Sequence, residues 1–401
     1  MTLLKDYKEF SGLHWETGTV RNFFAYRGYT APHSDRPYTE AMLMGISGGA
    51  VMGYFSFAYE GYDPHVSLLT RNTFDPWDTM LQRLGVAQTV LQTNSSEKGL
   101  FNLIDTLESG IPAIVWADLF TLPYNALPYD EGMWAMFPIL VFGYDEPAGY
   151  ASIADRARVP LTVSNLELEK ARRRVKKTKY RIVTLDPPNP DKLRSAVQLG
   201  IWDSIKLFTE KPPKGSAENF GFKAYRRWAN LLTKPAMRLS WAQVFPPGRE
   251  MYSGLTTAFE GIATFGKEGG AERGLFADFL EEAGLVLEKP AVAQMADQFR
   301  ASAQAWDRLG TALLPDRIQP FKETRELMLR RHAAFLDRGS NALDEIRGNN
   351  ARLMEIKTAV ASDFPLGGAD LASFCEELAG RIMEIHDLEL KAVGDLRSAV
   401  E

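Results

Sequence analysis

Along the first 186 residues the apolar positions come in short runs, whereas beyond residue 320 they recur at helical intervals. "IPAIVWADLF" (111–120) and "MFPILVFGYD" (136–145) are apolar stretches closed by Gly, Pro or Asp, the pattern of buried strands. "YASIAD" and "YRIVTLD" predict two more. Ahead of them, "GLHWETGTVRNFFAYRGY" (12–29) passes from loop to helix. Thr17 or Thr19 can cap it, and Val20, Phe23, Phe24 and Ala25 form its apolar stripe. "SNLELEKARRRVKK" (164–177) predicts a helix with Ser164 as cap and Glu167 at capping-box spacing. Helices early and strands later give an α+β layout.

Pro187, Pro188 and Pro190 punctuate the chain, as do Pro212 and Pro213, with a helix around Lys192 to Phe208 between them. Phe220, Ala224, Trp228 and Leu231 then follow at helical spacing, and "GGAERGLFADFLEEAGLVL" opens another helix. From Phe321 an amphipathic pattern runs through Met328, Phe335, Ala342, Ile346, Leu353, Ile356 and Val360 to the breaker "SDFPLGG". A second stripe occupies Leu371, Phe374, Leu378, Ile382, Ile385, Leu388, Val393 and Leu396. The spacing predicts two long helices in an antiparallel hairpin. That hairpin either buries its stripe in a bundle or offers it to a partner, a second copy included. The expected domains are α+β over 1–186, helical over 187–315 and the long hairpin over 316–401.

Composition narrows the classes. The 401 residues are 45% hydrophobic and 24% charged, enough for a sizeable core in more than one domain. A net charge of −5 argues against general nucleic-acid binding. No run reaches the roughly 18 apolar residues of a membrane span. Lys5, Asp6, Lys8 and Glu9 stand where a signal peptide needs its apolar stretch, so a cytoplasmic location is expected. The single cysteine, Cys375, excludes an intramolecular disulfide and a cysteine zinc cluster. Five histidines are scattered without metal-ligand spacing, so neither metal nor cofactor is expected.

Four segments together resemble, in order and spacing, the butirosin biosynthesis protein H family: "HWETGTVRNFFAYRGY", "YTEAMLMGISGGAVMGYF", "GIPAIVWADLFTLPY" and "FPILVFGYDE…YASIAD…LTVSNLELEKARR". "GGAERGLFADFLEEAGLVLEKPAVAQMADQFRASAQAWDRLG" is similar to the helical part of that family. The likeness runs from about Leu13 to Leu314, leaving the C-terminal hairpin outside it. It implies a papain-like N-terminal domain followed by a helical one. It further implies an acyltransferase of specialised metabolism, moving an aminoacyl group from a carrier protein to an amine through a cysteine acyl-enzyme. Carried over residue by residue, the family's His-Cys pair falls on His14-Trp15, its histidine on Phe137 and its acidic residue on Asp155.

An acyl-enzyme needs a thiolate and an imidazole, and an aspartate supplies neither. Covalent catalysis is therefore not expected. Trp15 and Phe137 are expected to face each other in one cleft, with Phe23, Trp116, Tyr124 and Trp134 in neighbouring segments. These rings either line a pocket for a planar or cationic ligand or fill an abandoned site. Glu16, Asp155 and Asp118 are the carboxylates available for acid/base work, and His14 is either structural or an acid/base. Ser47 in "GISGG" is a substrate contact or nucleophile, or part of a glycine-rich turn. Cys375 lies on the apolar face of the last helix and reads as a buried hydrophobe. In "KARRRVKK", Arg172, Arg173 and Arg174 form either a solvated face or a dock for an acidic carrier protein. The expected function is non-covalent cyclisation or group transfer on a small-molecule or carrier-linked substrate. The alternative is a catalytically inactive partner subunit.

Overall fold

The computed structural model describes every residue except Met1, Asp130 and Phe265. The chain divides into two compact units, each built from separate stretches of sequence. The first contains Met1–Leu43, Leu81–Leu193 and Arg331–Gly348; the second contains Met44–Met80, Arg194–Arg330 and Asn349–Glu401.

The first unit is built on a seven-stranded antiparallel sheet. Its strands run in the order Leu161–Ser164, Tyr150–Ala154, Met136–Asp145, Ala113–Asp118, Ile182–Leu185 and Gln88–Leu91, with Thr2–Leu3 paired to Met136–Asp145. The four strands expected from their apolar runs are all present in it. Ile114, Val115, Ile139, Leu140 and Val141 are inaccessible to solvent, as continuous apolar strands require. The helix Trp15–Tyr26 packs on Met136–Asp145, and Thr19 Oγ1 donates to the Pro138 carbonyl at 3.2 Å. The helix Asn165–Arg173 starts with the expected capping box, Ser164 and Glu167 satisfying each other's backbone N–H groups.

The unbroken helix expected from Phe321 to Val360 is instead two, Gln319–Arg338 and Leu343–Ser362, separated by the tight turn Gly339–Ala342. The break falls at a residue whose backbone is non-helical. Gly339 has φ +51°, and a Cβ there would fall 2.5 Å from Leu161 Cδ2. The same stretch bonds to the sheet unit, because Arg158 N–H donates to the Leu336 carbonyl at 2.7 Å and Thr162 N–H to Ser340 Oγ at 3.2 Å. Ala334, Ala342 and Ile346 bury together there, with Ala126 and Phe335 packed against them.

The second unit combines an antiparallel strand pair, Ala50–Phe57 and His65–Arg71, with helices. The last helix, Gly368–Val400, packs on Gly221–Thr233 and Ala296–Leu313. Its stripe of Phe374, Leu378, Ile382, Ile385 and Leu396 is buried inside this unit. Among the described residues, no helix is long and apolar enough to cross a membrane.

Candidate functional site

The loop ahead of Trp15 is drawn tightly over the helix it feeds. Gly12 and Gly18 touch backbone to backbone, and a Cβ on Gly12 would fall 2.4 Å from the Gly18 oxygen. Asn22 Oδ1 accepts the Gly12 N–H at 3.2 Å. The buried carboxylate of Glu40 accepts the Leu13 N–H at 2.7 Å, the His14 N–H at 2.8 Å and the Thr17 hydroxyl at 2.8 Å. His14 caps the helix, its Nδ1 accepting the Glu16 N–H at 3.3 Å, which requires that nitrogen to be unprotonated. Its ring stands edge-on to Trp15.

Trp15 opens the helix and is 2% exposed. Its ring stacks on Phe137, with centroids 4.5 Å apart and planes 23° from parallel. The guanidinium of Arg156 lies 4.6 Å from the Trp15 ring and 5.1 Å from that of Phe335. Asp155 holds that guanidinium in plane, with Nε at 2.9 Å from Oδ1 and Nη2 at 3.0 Å from Oδ2. Tyr124 donates its hydroxyl to Asp155 Oδ2 at 2.9 Å, and Asn125 Oδ1 accepts a second bond from Arg156 Nη2. Burial, and then the Asp155 charge, push the Tyr124 phenol well above its usual range, so it stays a donor. Across Arg156 the chain makes a three-residue turn. Ala157 N–H donates to the Asp155 carbonyl at 2.6 Å, and Arg156 itself sits at φ +53°.

Trp15, Phe137, Tyr124 and Asp155 thus converge from four segments, with His14 and half-buried Glu16 at the corner. Other expected site residues do not join them. Trp116 pairs with Pro138, whereas Phe137 pairs with Ala117, so strand alternation puts Trp116 on the opposite face of the sheet. Arg181 covers it there, at 4.6 Å. Trp134 is 57% exposed on the loop ahead of the strand, outside the stack. Phe23 is fully buried two turns along the helix and belongs to the core. Asp118 is buried as a turn anchor, accepting the Ala135 N–H at 2.9 Å and the Thr121 hydroxyl at 2.7 Å. Ser47 belongs to the second unit, where its hydroxyl donates to the Met44 carbonyl at 2.7 Å and its carbonyl accepts from Asn72. Its turn leads into Gly48 at φ +118°, so the glycines serve backbone geometry. Cys375 is buried, and desolvation pushes its thiol up to about 11.

The basic run is also corrected. Arg172 is 3% exposed, donates to the Gly99 carbonyl at 3.3 Å and lies over the Tyr180 ring. Arg172 recurs four residues after buried Leu168, on the inner face of a nine-residue helix. Arg174 donates to Tyr129 Oη and the Glu131 carbonyl at 2.8 Å each. Of the three arginines only Arg173 is on the solvent side, beside Glu169 at 3.6 Å. Sequence reasoning missed Arg156, Phe335, Asn125 and Glu40. "IADRAR" does place Arg156 next to the expected carboxylate, but nothing in the sequence points to Phe335, which reads as one more apolar helix position. Among the described residues, no group of three or more His, Cys, Asp or Glu is placed to hold a metal ion.

A helix that meets an antiparallel sheet through the ring at its first residue, followed by a helical half, places this chain among α+β proteins with a papain-like N-terminal domain. Residues 14–156 match the family model described as butirosin biosynthesis protein H, N-terminal, and residues 166–336 match a domain of unknown function (DUF4872). The chain belongs to a butirosin biosynthesis protein H-like family. No curated protein matches it.

Proposed function

We propose that this protein is a non-acylating member of its family. It keeps an acyltransferase-like scaffold of specialised metabolism and serves as a binding or partner subunit rather than forming an acyl-enzyme. One observation carries the reading: Asp155, at the position of the orienting carboxylate, neutralises Arg156 against the Trp15 ring. An acyl-enzyme requires a nucleophile and a base within hydrogen-bond reach, and the stacked indole and phenyl rings supply neither. The N–H groups of Leu13, His14 and Glu16, which could otherwise face a developing oxyanion, are held by Glu40 and His14. The basic residues left on the surface, Lys170, Arg173, Lys176 and Lys177, are where an acidic carrier protein would dock.

The test is chemical. Incubation with an aminoacyl thioester followed by intact-protein mass measurement should show no adduct, on the wild type or on Cys375→Ala. A stoichiometric adduct on any residue overturns the reading.

A further inference from the structure

We propose that the Trp15–Asp155 cleft is a binding site for a guanidinium cation, which Arg156 fills in the free protein as a tethered occupant. The inference rests on the cleft being non-acylating and names the class of ligand it takes.

The groups around the guanidinium form a complete recognition set for a planar cation. Two rings, Trp15 and Phe335, offer their π faces at 4.6 and 5.1 Å. Asp155 accepts two N–H bonds side by side, and Asn125 Oδ1 takes a third. The Tyr124 hydroxyl, bonded to Asp155, keeps that carboxylate aimed. Each of these contacts is made to the guanidinium head and none to the Arg156 main chain. The tether is the weak part of the arrangement, because Arg156 must adopt φ +53° to deliver its head. A free alkylguanidinium would make the same contacts without that turn. The cleft is also reachable, since the Arg156 side chain is 12% exposed and Phe137, Phe335 and Asn125 are only half-buried. An ammonium ion would gain the charge and the rings but not the paired in-plane bonds, so the site discriminates for guanidinium.

The experiment uses methylguanidinium as probe and Arg156→Gly as the emptied site, since glycine accepts the positive φ without strain. Binding followed by calorimetry and ligand-observed NMR should be about tenfold tighter to Arg156→Gly than to the wild type, and weaker again for methylammonium. Adding Asp155→Asn to the variant should abolish it. No binding to a folded Arg156→Gly, or equal binding with the Asp155→Asn change, overturns the proposal and leaves Arg156 as a plug. Should Arg156→Gly not fold, Arg156→Lys replaces it, because lysine cannot bridge both Asp155 oxygens in plane. The same gain over wild type is expected there, and equal affinity overturns the proposal. A thioester adduct would sink the non-acylating reading whatever methylguanidinium does, so the two failures are separate.

Discussion

Each unit buries an arginine–carboxylate pair, and the two pairs differ in kind. In the second unit Arg273 and Glu389 are inaccessible to solvent, and Glu389 accepts from Arg273 Nε and Nη2, the Tyr225 and Ser302 hydroxyls and Trp306 Nε1. Every lone pair of that carboxylate has a partner, and the groups come from four separate helical stretches. In the first unit the pair is formed by neighbours in sequence, Asp155 and Arg156. Arg156 retains slight solvent access and stands in a strained turn against the buried Trp15 ring and the half-buried Phe335 ring. A charge pair that staples helices together needs full enclosure and many donors. A charge pair with a strained backbone at a reachable cleft has the features of a site.

That distinction can be tested by substitution. Glu389→Ala should lower unfolding free energy by about 3–5 kcal/mol in urea titrations, because it strands Arg273 without water. Burial raises the Glu389 carboxyl, but the Arg273 charge and the hydrogen bonds from Arg273, Ser302 and Tyr225 outweigh it, leaving the group below its ordinary value. A depressed carboxyl stabilises the fold above its unfolded value, near 4.3, and that stabilisation is lost as pH falls through the folded value. Urea titrations from pH 7 to pH 3 should therefore show an acid limb that Glu389→Gln flattens. Trp15→Ala should cost about 3 kcal/mol by calorimetry, as the loss of a buried large ring does. A cost near zero would mean the corner is open and the stack is not the resting state.

Arg172→Glu should cost about 2–3 kcal/mol in the same assay, since it places an acid where a buried cation bonds Gly99. Asp155→Asn should cost only about 1–2 kcal/mol, because Arg156 can turn its edge to water. A loss equal to that of Glu389→Ala would make the two pairs equivalent and remove the contrast. Arg173→Glu, on the exposed side of the same basic run as Arg172, should change stability by about 0.5 kcal/mol or less.

The sequence made four sheet strands and the Ser164 cap legible because those signals are local, whereas the first helix, expected to be capped by Thr17 or Thr19, is capped by His14 instead. Ala113–Asp118 and Met136–Asp145 announce themselves as apolar runs with breakers, and Ser164 and Glu167 as a pair three residues apart. The placement of Trp15 against Phe137 was also within reach, through the resemblance that set both positions. The strand pair Ala50–Phe57 and His65–Arg71 was hidden, since "AVMGYFSF" alternates in neither period and follows a glycine cluster. Arg156 over Trp15 and Phe335 was not legible. It joins positions 15, 156 and 335, and no local pattern encodes that meeting. Arg172 could have been found, because counting four residues from Leu168 puts it on the apolar side of its helix. A run of six basic residues in eight concealed that face.

Phe335 belongs to the first unit although it lies 150 residues beyond the last strand, Ile182–Leu185, in the stretch Arg331–Gly348. On a ribosome, therefore, the cleft cannot complete itself when its own strands emerge; it waits until most of the other unit has been made. During that interval Asp155 and Arg156 have one ring instead of two, and Leu161 has no Gly339 turn to pack against. Contacts of such long sequence separation form late and slowly. A nascent chain stopped after the sheet would thus carry a half-built cation cage, and chaperone capture or a soluble cation would have its longest opportunity to act there.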